Sequence, residues 1–148
     1  MPNPPIQIPR ERHAQLKQIA EGLGGASMSA VIGELIRAFA DQGRVEHALP
    51  GVRINSFRDG VAVAFEDGRP VPLTRAQALA LAGEIEVLVV KGLRLEAQGD
   101  RPWTLSRRGG AYVVRLVQGN EKVWPGDVAL DFGRLLRRTV PPVEAVAA

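Results

Sequence analysis

At 148 residues, 45% apolar and 24% charged, the chain is long enough to bury a core and too apolar to be disordered throughout. It has no cysteine, which excludes disulfides, thiolate nucleophiles and Cys-ligated metals, and no apolar run approaches the ~20 residues that span a bilayer. The net charge of +3 leans mildly towards a polyanionic partner, yet residues 1–50 balance five basic against five acidic side chains, so the surplus lies in residues 51–148. The stretch MPNPPIQIPR has neither the basic n-region nor the apolar h-region of a secretory signal. The expectation is a cytoplasmic protein with no membrane partner.

Residues 3–8, NPPIQI, alternate Ile6 and Ile8 with Gln7, which predicts a short strand with Asn3, Pro5 and Gln7 on its other face. Pro9 suits a helix start, because its fixed φ is helical and its missing N–H is not needed there. Glu11 complements the dipole in that first turn. Leu16, Ile19, Ala20 and Leu23 recur at i, i+3, i+4 and i+7 as one apolar stripe. Gly24 and Gly25 end the helix, one of them left-handed, and Ser27 is an N-cap for the next. The second helix carries Val31, Ile32, Leu35, Ile36 and Phe39, an apolar face too wide for one small partner helix to cover.

This order of strand, helix, glycine turn and Ser-capped helix, over residues 3–43, resembles the ribbon-helix-helix family of dimeric repressors, the Arc and MetJ type. The resemblance implies a homodimer whose N-terminal strands pair into an antiparallel ribbon that enters the DNA major groove. By position it implies base contacts from Asn3 and Gln7, since Gln can pair bidentately with adenine. It implies phosphate contacts from Arg10 and from the start of the second helix, Ser27, Met28 and Ser29. Pro5 takes one of three outward strand positions that are usually polar or basic in that family, and Pro4 and Pro5 remove two amide donors, so the ribbon must be short.

Pro50-Gly51 closes a linker, residues 46–51. Beyond it a pattern occurs twice, in residues 52–89 and 103–140. At an offset of 51, Ile54 meets Leu105, Val61 meets Tyr112, Val63 meets Val114, Phe65 meets Leu116 and Leu81 meets Phe132. Each copy reads as two strands joined at a glycine turn, Asp59-Gly60 or Gly109-Gly110, followed by a helix. Thr74 is an N-cap for the first of these helices, and Pro125 an early residue of the second, with Asp127 in its first turn. The predicted fold is α+β. A ribbon-helix-helix dimerisation module, 1–45, precedes a domain of two ββα repeats, 52–140, built as a four-stranded antiparallel sheet with two helices. Residues 141–148, PPVEAVAA, form a disordered tail.

No catalytic constellation can be assembled: there is no phosphate-binding glycine loop, no Ser-His-Asp set and no metal-ligand spacing. The expectation is therefore no enzyme, no cofactor and no metal. Glu84 and Glu86 fall on different helix faces and read as solvated charges; Trp103 and Trp124 read as core or hairpin-capping residues. His13 reads as a solvated helix residue. Arg107, Arg108, Arg134, Arg137 and Arg138 are the densest basic material, and Arg107, Arg108, Arg134 and Arg138 form a candidate accessory patch for phosphates. The functional expectation is a dimeric, sequence-specific protein on double-stranded DNA, a transcriptional repressor, whose C-terminal domain serves assembly, partner binding or sensing. The alternatives are an interaction protein that dimerises without binding DNA, and a plasmid-transfer accessory factor that does bind it. Homodimer or higher oligomer is left open.

Overall fold

The computed structural model describes residues 3–94 and 100–142, in two compact units, Met1–Glu46 and His47–Ala148. The first unit is two helices. Helix α1 (Arg10–Gly22) follows Pro9, with Glu11 in its first turn, and runs out into Gly24 and Gly25, both left-handed at φ 80° and 87°. That reversal lets the amides of Gly25 and Ala26 both reach the Ala20 carbonyl, at 2.9 and 3.2 Å. Helix α2 (Met28–Asp41) starts at Ser27, whose hydroxyl accepts from the Ala30 N–H at 3.1 Å.

The predicted strand over residues 3–8 is not formed. Residues 3–9 carry no secondary structure, and the chain opens with two helices where a ribbon-helix-helix start was expected. The physical reason is the backbone. A strand needs a neighbour for its N–H and C=O groups, Pro4, Pro5 and Pro9 have no N–H, and no described segment of the chain pairs with this one.

In the second unit come β1 (Val52–Phe57), β2 (Gly60–Phe65), β3 (Val71–Thr74) and α3 (Arg75–Lys91). The same order follows in β4 (Trp103–Arg108), β5 (Ala111–Leu116), β6 (Glu121–Pro125) and α4 (Gly126–Thr139). Val52 and Trp103, Gly60 and Ala111, and Arg75 and Gly126 open equivalent elements, each pair 51 residues apart. The repeat is therefore real in three dimensions, but its unit is βββα. The four-stranded sheet of the sequence reading is replaced by two three-stranded antiparallel sheets, ordered β1-β2-β3 and β4-β5-β6. Each third strand folds back on the middle strand of its own hairpin, pairing Val61 with Leu73 and Val113 with Val123, so the two hairpins do not pair with each other. Pro72 disguised β3 in the sequence. It is tolerated because β3 is an edge strand, where a missing N–H need not break a ladder.

Thr74 ends β3 and caps α3 in a reciprocal box: its hydroxyl accepts from the Gln77 N–H at 3.1 Å while its own N–H donates to the Gln77 side chain at 2.9 Å. Helices α3 and α4 lie antiparallel. Gly126 at the start of α4 faces Val89 near the end of α3, Gly133 faces Ala82 at mid-length, and Arg75 at the start of α3 donates to the Pro141 carbonyl beyond α4 at 3.1 Å. Ala82 and Gly133 are themselves 51 apart, so equivalent residues meet at the crossing and mark a local two-fold axis relating the repeats. One core serves both halves. Phe65, Trp124 and Phe132 pack together in it edge-on or tilted, with ring centroids 5.2 to 5.6 Å apart. Of the expected tail, residues 143–148 lie outside the described residues.

Candidate nucleic-acid interface

Asn3, Gln7 and Arg10 are all exposed; Asn3 and Gln7 lie in the unstructured lead, and Arg10 is the first residue of α1. Ser27 and Ser29 are exposed and Met28 half-buried where α2 begins. A helix start offers unpaired N–H groups and the positive end of the dipole, so this is where α2 can meet an anion. The Ser27 hydroxyl is spent on its own helix as the cap, leaving backbone amides as the chemical offer.

The larger feature of this unit is apolar. Ile32, Leu35, Ile36 and Phe39 are 41%, 45%, 55% and 51% exposed along one side of α2, while Val31 is fully buried. Ile19 on α1 and Leu23 just beyond it stay open, and Ile8, Leu16 and Ile19 line a shallow groove of about 680 Å³ with Arg12, Gln15 and Gln18. The charges beside α2 are engaged locally, Arg37 with Glu34 one turn away and Arg44 over the Phe39 ring at 5.6 Å.

In the second unit the four arginines of the accessory patch lie on two elements. Arg107 and Arg108 end β4; the Arg107 Nε donates to the Gly109 carbonyl at 3.1 Å and its guanidinium sits 5.9 Å from the Tyr112 ring centre. Arg134 lies on α4, roughly 12 Å along the axis from Gly126 at the helical rise, and pairs with Asp131 at 3.0 Å. Arg138 follows one turn later. The Glu121 carboxyl is held below the usual carboxylate range by the hydrogen bond from Arg115 and its charge.

Two carboxylates behave differently from each other. Glu86 is exposed and pairs with Arg137 at 2.8 Å. Glu84, expected to be solvated, is instead only 10% exposed, held by the Arg101 guanidinium and by the indole N–H of the buried Trp103 at 3.2 Å. The periodicity of α3 hides this, because the partners arrive from the start of the second repeat. The signal that finds it is the repeat itself, which sets Glu84 opposite Leu135. Among the described residues no cluster of His, Cys, Asp or Glu is arranged to hold a metal ion, and no helix is long and apolar enough to cross a membrane. No protein-family model matches the chain, and neither a curated protein nor a solved structure shows significant similarity to it.

Proposed function

We propose that the protein is a homodimer that binds double-stranded DNA in a sequence-specific way and acts as a transcriptional repressor. The observation that carries the dimer is the open side of α2. The first unit buries only Ala20, Val31 and Ala40 among its described apolar residues, too little for so short a unit to hold itself together in water. A second copy laid against Ile32, Leu35, Ile36 and Phe39 would remove four large side chains per chain from solvent, each contributing about 1.5–3 kcal/mol at full burial.

Dimerisation through this side sets two α2 starts and two leading segments in a two-fold arrangement, the symmetry of a palindromic operator. In the proposal Arg10 and the amides at Ser27, Met28 and Ser29 contact phosphates, and Asn3 and Gln7 read base edges. The C-terminal unit then serves assembly, partner capture or sensing. The even charge of residues 1–50 favours a second reading, an interaction module that dimerises without DNA.

The experiment is a gel shift against the DNA upstream of the protein's own coding region, with unrelated DNA as competitor, at two salt concentrations. Retention against competitor, with affinity falling steeply as salt rises, is the expected result. A protein that sediments as a dimer yet gives no shift at low salt removes the repressor and leaves the interaction module.

A further inference from the structure

The duplicated domain contains its own control. Several equivalent core positions of the two repeats are apolar and buried in both, as at Ala78 and Ala129 or Leu81 and Phe132. At another place the two halves differ in charge. Glu84, Arg101 and Trp103 of the polar cluster correspond, 51 residues away, to Leu135, Pro50 and Val52. Those three residues are uncharged, Leu135 and Val52 half-buried and Pro50 exposed, so a βββα unit does not need ions there to fold. Burying an ion pair where an apolar one would do is often neutral or unfavourable for stability, which turns attention to what else the cluster does.

Beside it is a cavity of about 350 Å³, in the range of small-molecule pockets. Leu88, Leu105 and the Trp103 ring give it apolar walls, and Arg94, Arg101 and Glu84 give it two guanidiniums against one carboxylate. The Arg94 guanidinium is fixed by a 3.0 Å bond to the Leu105 carbonyl, and that of Arg101 lies 5.3 Å from the Trp103 ring centre. The Glu84 carboxylate has donors from both Arg101 and Trp103. The Arg101 Nε, by contrast, is buried and finds no acceptor among the described residues. A partly apolar cavity lined by two guanidiniums against one carboxylate suits an anionic acceptor carried in from outside.

We infer that this cavity binds a small organic monocarboxylate, its carboxylate accepting from Arg101 and its apolar body lying against Leu88, Leu105 and Trp103. The site stands independently of DNA binding by the first unit.

The chain has two tryptophans, so its ¹⁵N spectrum shows two indole N–H signals, and Trp103→Phe assigns them. Sodium benzoate and sodium hexanoate are titrated into the full-length protein, with benzyl alcohol and 1-hexanol as uncharged counterparts. Binding by either acid moves the Trp103 signal saturably, with Kd of about 1 mM or tighter, and leaves that of Trp124 in place. Arg101→Gln weakens this at least tenfold. Because that variant strands Glu84, the double variant Glu84→Leu with Arg101→Leu is the second test: it is expected to remain folded, as the other repeat does with leucine, and to ignore both acids. An unmoved Trp103 signal with both acids, equal shifts from the alcohols, or undiminished binding by the folded double variant overturns the proposal.

Discussion

The two units treat apolar surface in opposite ways. In the second, seventeen described residues, from five strands, two helices and the end of α4, form one buried cluster that includes the Phe65, Trp124 and Phe132 rings. In the first, three described apolar residues are buried, and the widest apolar side of α2 faces water. The difference follows from duplication. Two βββα repeats supply each other's missing half within one chain, so their association needs no second molecule. The helical pair has no such internal partner, and its stability must depend on protein concentration if a second copy supplies the other half.

The comparison breaks most sharply at Phe132. Phe132→Ala empties the centre of the shared core and should cost about 3–5 kcal/mol, read as a fall in the urea midpoint of the C-terminal unit. The sedimentation behaviour of the first unit should be unchanged. If that midpoint does not move, the two repeats are not one cooperative core.

Ile36→Glu tests the other half. A charge placed on the open side of α2 should weaken dimerisation by at least 2 kcal/mol, about thirtyfold in Kd, seen by sedimentation equilibrium. The urea midpoint of the second unit should stay where it was. A variant as dimeric as the parent places the subunit contact elsewhere.

Ser27→Ala removes the one side-chain cap in the first unit and should cost about 1 kcal/mol of helix stability. In a dimer that cost appears as concentration-dependent melting of α2, followed by helical circular dichroism at two protein concentrations. At Gly133 the expected sign reverses. A Cβ there would sit 3.6 Å from the Ala82 carbonyl oxygen, an ordinary contact, so Gly133→Ala should stabilise the second unit by about 0.5–1 kcal/mol through helix propensity alone. Destabilisation would mean the α3–α4 crossing has no room for a methyl group.

The smallest effect belongs to Glu121. Its pKa is lowered in the folded chain by Arg115, so its contribution is present above the ordinary carboxylate range and lost as pH falls through the lowered pKa. Glu121→Gln should flatten the acid limb of the stability profile slightly and leave neutral pH alone.

Local chemistry was legible. Ser27 and Thr74 cap the helices they were expected to cap, since a hydroxyl beside unpaired amides acts within one turn. The 51-residue repeat could be read because the alternating large apolar residues Val61, Val63 and Phe65 match Tyr112, Val114 and Leu116 with few identities. The third strands escaped because β3 is four residues long and contains a proline, and because Pro125 serves as both the end of β6 and the N-cap of α4. The strand over residues 3–8 was expected from alternation alone, which cannot say whether a neighbour exists.

The sequence by itself determined where helices start and stop, that the domain is duplicated, and that α2 carries more apolar surface than its own unit can cover. Those follow from turn chemistry and periodicity, which act over a few residues. Only the tertiary structure decided that the repeats build two separate three-stranded sheets over one core, that Ala82 meets Gly133, and that Glu84 is partly buried against Arg101 and Trp103. These depend on which strand edge finds which partner and on contacts between residues far apart in the chain. Periodicity carries no record of that.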